Sequence, residues 1–257
     1  MKECGGNVSE KLFLITNDDG RRAMGLNVLA EILAEFGRVV TVAPEIEQSA
    51  CSHAITLHRP LRINSFASDC YTVDGTTTDC VLLASQKLLP RMPDMVFSGI
   101  NHGPNLGDDV TYSGTVAGAF EGVLLGAPSV SISSCDIARI EDKSSREVLS
   151  RLIGSLLADP WPKDVLLNIN LPPSTVPLRG IKITKLGRRH YAESVIEKTD
   201  PRGRVYYWIG GINPEWVGDE DSDFHVVAEG YISVTPLHLD LTHYPSLDGF
   251  KRLESVL

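Results

Sequence analysis

The chain has 257 residues, of which 42% are hydrophobic and 22% charged, and its formal net charge is −9. That length suits one large α/β domain or a domain with an appendage. The apolar runs fall far short of the ~20 residues a bilayer span needs, and no basic cluster longer than Arg188-Arg189-His190 offers a nucleic-acid polymer a positive face.

Cys4, Cys51, Cys70, Cys80 and Cys135 form no Cys-x-x-Cys pair and read as free thiols of a reducing compartment. Met1 to Glu10 holds no apolar core of the signal-peptide kind, so a cytoplasmic protein is expected. Residues 1–10 read as an N-terminal extension and 11–257 as a single domain, with no internal repeat or obvious linker.

Leu12 to Ile15 predicts a buried strand running into Thr16-Asn17-Asp18-Asp19-Gly20. Leu26, Leu29, Leu33 and Phe36 then recur at helical spacing, predicting a helix from about Gly25 to Phe36 with Gly37 as its stop. Arg38 to Ala43 is a second strand, completing a parallel βαβ unit. Pro44 to Ser52 is polar and irregular, and Ala54 to Ser65 with Tyr71 to Val73 suggests a hairpin excursion. Asp79 is placed to cap a helix through Val81 to Leu89. A third strand, Met95 to Phe97, leads into Ser98-Gly99-Ile100-Asn101, a glycine-rich loop and a small-residue helix from Thr115 to Leu125. Strands at Ser129 to Ile132 and Val165 to Ile169 flank a helix over Ser144 to Leu157, an alternation that argues for a doubly wound sheet.

The last third differs. Ile181 to Thr184 is strand-like, and Ser194 to Lys198 and Val205 to Ile209 flank the turn sequence Asp200-Pro201-Arg202-Gly203, predicting a protruding β-hairpin. Tyr206, Tyr207, Trp208 and Trp216 make this part a partner surface. Asp219 to Asp223 reads as an acidic, mobile loop, Tyr231 to Thr235 as a last strand, and Tyr244 to Leu257 as ending in a short helix.

In an open α/β sheet, ligands bind beyond the carboxyl ends of the strands where their order reverses. Three strands end in polar tails here: Asp18-Asp19, Glu45 to Ser52, and Ser98 to Asn101. Two carboxylates about 4 Å apart repel by about 4 kcal/mol at an effective dielectric of 20, unless a cation lies between them. Taken alone, Asp-Asp-Gly is also an ordinary turn. With Ser49 and Asn101, the two carboxylates form an all-oxygen set suited to Mg²⁺ or Mn²⁺. Tyr112-Ser113-Gly114-Thr115 opens the small-residue helix, where unpaired N–H groups favour either a phosphate or a plain cap. No P-loop and no Gly-x-Gly-x-x-Gly follows the first strand. Of the histidines weighed, only His102 lies in the proposed site loop; His53, His190, His225, His238 and His243 read as surface or core residues.

Three blocks make the chain recognisable: Ile15-Thr16-Asn17-Asp18-Asp19-Gly20, the twenty residues from Ser98 to Ala117, and Gly230-Tyr231-Ile232-Ser233-Val234-Thr235-Pro236-Leu237. Together with Gly75-Thr76-Thr77-Thr78-Asp79-Cys80-Val81, they resemble the survival protein SurE family of 5′-nucleotidases over nearly the whole chain. The resemblance implies a three-layer α/β/α sandwich with a mostly parallel, Rossmann-like sheet and a protruding C-terminal hairpin region over 180–245. It implies a hydrolase, a metal-dependent phosphomonoesterase of nucleoside 5′- and 3′-monophosphates and of short polyphosphate, that assembles as a homodimer or homotetramer. The family's metal ligands fall on Asp18, Asp19, Ser49 and Asn101. Ser113, Gly114 and Thr115, with Asn105, would hold the phosphoryl oxygens, and Asp18 or Asp19 would take the proton of the attacking water. The chain departs from the family at Ser49-Ala50-Cys51-Ser52, where Ser-Gly-Ala-Ser is frequent, and at Arg21-Arg22. Two other readings stand beside this one: a non-catalytic nucleotide sensor, and an aspartyl-phosphate phosphatase using Asp18. The second class needs Asp-x-Asp spacing, whereas the residue two before Asp19 is Asn17.

Overall fold

The structure, a computed structural model, describes residues 10–159, 161–190, 195–209 and 215–256. The predicted extension therefore lies almost wholly outside the described residues, as do Ser194 and Leu257.

The chain runs β1 (Leu12–Thr16), α1 (Met24–Leu33), β2 (Arg38–Pro44), β3 (Ile63–Ala67), β4 (Cys70–Val73), α2 (Thr77–Leu83) and β5 (Met95–His102). It continues through α3 (Gly114–Leu124), β6 (Ser129–Ser134), α4 (Ile137–Glu141), α5 (Lys143–Ala158), β7 (Val165–Leu171) and β8 (Gly180–Ile183). The rest is β9 (Arg188–His190), β10 (Val195–Thr199), β11 (Val205–Ile209), β12 (Glu215–Val217), α6 (Asp223–Ala228) and β13 (Tyr231–His238).

The main sheet has nine strands in the order β3-β4-β2-β1-β5-β6-β7-β13-β8. From β4 to β7 every pairing is parallel, while β3 and β13 join antiparallel to β4 and β7. Strand β1 explains the layering. All five of its residues are buried, and successive side chains of a strand face opposite ways. Phe13 and Ile15 pack with Leu26, Leu29 and Leu33 of α1 and with Leu149 and Ile153 of α5. Leu12 and Leu14 pack on the other face with Cys80 and Val81 of α2. Helices therefore cover both faces, giving the three-layer α/β/α architecture. Phe13 meets Phe97 edge to face, with ring centroids 5.9 Å apart. Burying a side chain of this size stabilises the fold by about 1.5–3 kcal/mol.

Several boundaries differ from the sequence expectation. Helix α1 ends at Leu33, and Phe36 still packs against the core from the turns beyond it. Of the stretch from Ala54 to Ser65 only the last three residues are strand, the start of β3 (Ile63–Ala67), because nothing among the described residues pairs with the earlier ones. Asp79 is not the cap of α2. Thr76 is, with its side chain accepting from the Asp79 N–H while the Asp79 carboxylate accepts from the Thr76 N–H. That reciprocal box satisfies two end donors at once. Helix α3 closes as anticipated at Gly126. Its φ of +88° lets its N–H reach Val123 O and the Ala127 N–H reach Gly122 O. Beyond β13, the expected terminal helix is a four-residue turn at Leu247–Phe250 between two 3₁₀ turns.

The acidic stretch from Asp219 to Asp223 is anchored rather than free. Lys185 Nζ donates to Asp219 Oδ2 at 2.5 Å, and Asp223 is fully buried. Four thiols, Cys51, Cys70, Cys80 and Cys135, are free among the described residues. No helix among those residues is long and apolar enough to cross a membrane.

Candidate active site at the switch point

Strand β1 pairs with β2 on one side and β5 on the other, so strand order reverses between β1 and β5. At their carboxyl ends lies a cavity of about 830 Å³ lined by Asp18, Asp19, Glu47, Ser49, Asn101, His102, Asn105, Asp109, Tyr112, Ser113 and Arg189, among others. Asp18, Asp19, Ser49 and Asn101, carried by the three strand tails, all line this one cavity.

Each donor is placed by a local feature. The Asp18 carbonyl accepts from the Gln48 N–H at 2.7 Å, which ties the β1 tail to the loop carrying Ser49. Asp19 Oδ2 accepts from the His102 N–H at 3.0 Å, tying the same tail to the end of β5. Between Ser98 and Asn101 the pairing of β5 with β6 slips by one residue, a bulge that re-aims the strand end carrying Asn101. Asn101 Nδ2 donates to Gly103 O at 2.8 Å, so its amide oxygen is the end left to accept a cation. Ser49 Oγ donates to Glu47 Oε1 at 2.6 Å, leaving lone pairs for a further partner.

Helix α3 meets the site in an unexpected way. Gly114 and Thr115 do not line the cavity; both lie against Asp18. A side chain on Gly114 would come within 2.9 Å of the Asp18 carboxylate, so glycine there lets the helix end abut the acid. Thr115, fully buried, donates its hydroxyl to Asp18 Oδ1. The anion at the positive end of α3 is therefore Asp18 itself. Ser113 caps the helix, with its Oγ accepting from the Val116 N–H at 3.0 Å.

Asn105 belongs to a buried polar lattice beneath the cavity. Its N–H donates to Asn170 Oδ1 at 2.8 Å and its Nδ2 to Ser133 Oγ at 2.7 Å. Its carbonyl receives Nδ2 donors of Asn168 and Asn170. A satisfied network of this kind holds the loop rigid on β6 and β7.

Burial pushes the Asp18 carboxyl up to about 6; the Thr115 hydrogen bond opposes this and the neighbouring Asp19 adds to it. Asp19 is also raised, by burial first, with the His102 N–H opposing and Glu47 reinforcing. Among the described residues, no lysine or arginine forms an ion pair with either carboxylate. Nor do three His, Cys, Asp or Glu side chains cluster there as a metal site. Any ion would depend on the serine and amide oxygens as well, a donor set that suits a hard divalent cation and disfavours zinc.

Glu47, Asp109, Tyr112 and Arg189 line the cavity beyond the residues expected from the sequence. Glu47 sits two residues from Ser49 in a segment already marked as a strand-end loop, so it was within reach. Arg189 comes from a separate two-stranded sheet; the basic run Arg188-Arg189-His190 marks it in the sequence, but nothing local places it beside the end of β1.

Fold and site together define an α/β protein with an acidic, oxygen-lined cavity at the switch point of a doubly wound sheet. The family model described as Survival protein SurE matches residues 13–193. A 5′-nucleotidase SurE of Gemmatimonas aurantiaca is 50% identical over 237 residues, covering 90% of this chain and 93% of the relative. The 5′-nucleotidase SurE of Geotalea daltonii is 46% identical over 245 residues, covering 94% and 98%. The crystal structure of the SurE protein from Aquifex aeolicus superposes with a TM-score of 0.83 at 43% identity, covering 95% of this chain and 99% of that one. The chain belongs to the SurE family.

Proposed function

We propose that the chain is a metal-dependent 5′-nucleotidase that releases inorganic phosphate from nucleoside monophosphates. The relatives named above are 5′-nucleotidases, and the chain is a phosphomonoesterase of the same kind. The observation that carries the metal is that Asp18 and Asp19, both raised by burial, line one cavity together with Ser49 and Asn101.

In this reading Asp18, Asp19, Ser49 Oγ and the Asn101 amide oxygen hold one divalent ion, Mn²⁺ or Mg²⁺. The ion, when bound, supplies Lewis-acid polarisation of a phosphoryl oxygen and a more acidic water. Thr115 and the α3 N-terminus fix Asp18, and the His102 N–H fixes Asp19, so both carboxylates are oriented before substrate arrives. One of the two takes the proton of the attacking water. Asn105 and Ser113 contact the phosphoryl group from the cavity wall, while Gly114 and Thr115 act on it through Asp18. Attack on phosphorus by Asp18 itself is disfavoured, because the acid is 5% exposed and tied to Thr115. A phosphoenzyme trapped on Asp18 would overturn that assignment.

Residues 11–257 act as one domain in a cytoplasmic protein, and 3′-monophosphates and short polyphosphate are further substrates. Homodimers or homotetramers form through elements of 180–245, supported by the exposed side chains of Tyr206, Tyr207 and Trp208. The test is phosphate release from a panel of 5′- and 3′-monophosphates and tripolyphosphate with Mn²⁺ or Mg²⁺, with and without EDTA. Chelator-sensitive release from AMP or a related nucleotide is expected. Its absence across the panel would leave a nucleotide-binding module instead.

A further inference from the structure

The cavity poses a charge problem that the metal ligands do not solve. A phosphate monoester carries about −1.5 to −2 near neutral pH. A divalent ion held by Asp18 and Asp19 has its formal charge already balanced by them. The positive end of α3, a common seat for phosphate, is filled by the Asp18 carboxylate. Glu47 and Asp109 add negative charge to the wall, and among the described residues Arg189 is its guanidinium.

Arg189 is also held in place. Its Nη1 donates to Asp109 Oδ2, and its backbone N–H donates to Asp108 Oδ2 at 3.1 Å. Its guanidinium lies 5.6 Å from the centroid of Trp216, which is stacked on Phe224 at 5.2 Å with the rings 17° from parallel. The platform beneath is clamped by Asp223, which accepts the Gly107 and Gly187 N–H groups at 2.8 and 2.9 Å. Asp223 thereby joins the site loop to the strand that delivers Arg189. A guanidinium fork suits phosphate oxygens, and a paired, stacked arginine loses less freedom on binding than a mobile one.

We propose that Arg189 contacts the substrate phosphate, with Asp109 and Trp216 as its positioning residues. The proposal rests on the phosphomonoesterase reading and adds an anion-binding residue to it. It gives the β9–β12 ribbon a role in substrate binding, so the site is completed from outside the nine-stranded sheet.

The test compares the parent with Arg189→Met, Arg189→Lys and Asp109→Asn, each loaded with Mn²⁺. Binding of inorganic phosphate is followed by calorimetry, KM and kcat by AMP hydrolysis, and folding by thermal melting. Losing a charge-assisted contact should weaken phosphate binding and raise KM about ten- to hundredfold in Arg189→Met. Arg189→Lys should recover part of the loss, and Asp109→Asn should raise KM by less than Arg189→Met does, because it frees Arg189 from its tether but also removes a negative charge from the wall. The Mn²⁺ affinity should stay within twofold. A purely structural tie would lower the melting temperature and leave phosphate affinity unchanged. Phosphate affinity and KM within twofold of the parent in Arg189→Met, or no phosphate binding by the parent, would overturn the proposal. If the parent binds phosphate but hydrolyses no nucleotide, the function reading fails alone and the calorimetry still decides on Arg189.

Discussion

Strands β1 and β11 make an instructive pair. Leu-Phe-Leu-Ile-Thr and Val-Tyr-Tyr-Trp-Ile are both five-residue strands rich in large apolar side chains, yet the first is buried throughout and the second exposed throughout. Composition cannot account for this; neighbours can. Strand β1 has a parallel partner on each side and helices over both faces, whereas among the described residues β11 pairs with β10 alone. A lone two-stranded ribbon is marginal in water, and its contiguous apolar surface suits association. Stability thus resides in the sheet, and the exposed ribbon is the surface through which the proposed assembly would form.

The sharpest way to break the comparison is at the tip of β1, where stability and activity should separate. Asp19→Ala should lose at least about 10³-fold in metal-dependent phosphate release, since several kcal/mol of transition-state stabilisation depend on the ion. The melting temperature should hold or rise, because one of two repelling carboxylates is gone. Turnover within tenfold of the parent would remove Asp19 from the metal site.

Next come matched substitutions in the two regions. Phe97→Ala empties a fully buried position beside Phe13 and should cost about 3–5 kcal/mol in denaturant unfolding. Trp208→Ser, at a residue 62% exposed, should change the stability of the single chain by no more than about 0.5 kcal/mol. Light scattering should instead show a shift to smaller assemblies. Equal destabilisation by both would mean the ribbon is part of the core after all.

These contrasts also show what was legible from sequence. Buried parallel strands such as β1 and β2 declare themselves as continuous apolar runs, because both faces are covered. The acid pair was legible because strand tails at a switch point converge by topology alone. The cap of α2 is Thr76, three residues before the expected Asp79, since both are good cap formers and only the backbone shows which starts the helix. Two things escaped entirely. The burial of Asp223 depends on N–H groups of Gly107, 116 residues away, and of Gly187. The anion at the head of α3 proved to be a side chain of the same protein, a long-range contact that a Ser-Gly-Thr sequence cannot distinguish from a phosphate seat.

That contact gives a prediction of intermediate size. Thr115→Val removes the hydroxyl that bonds Asp18 while keeping the shape of a buried side chain. Groups that orient a metal ligand typically contribute 10–100-fold in metal affinity or activity, so Mn²⁺ titration should show a weakening of that order. An unchanged titration curve would mean Asp18 is held adequately by the backbone of α3 without the hydroxyl.

The smallest expected effect lies in the loop carrying Ser49. Ala50 sits at φ +56°, in the left-handed region where an L side chain is strained. Glycine at that position removes the strain but adds freedom to the unfolded chain, and the two effects oppose each other. Alanine at a positive φ costs more than the entropy it saves, so Ala50→Gly should stabilise the fold by about 1 kcal/mol in denaturant unfolding. Because Ala50 lines the cavity beside Ser49, the same substitution should leave the Mn²⁺ affinity within about threefold. Destabilisation by glycine would show that contacts of the Ala50 methyl outweigh the strain, making the loop's conformation a product of packing rather than of the serine it presents.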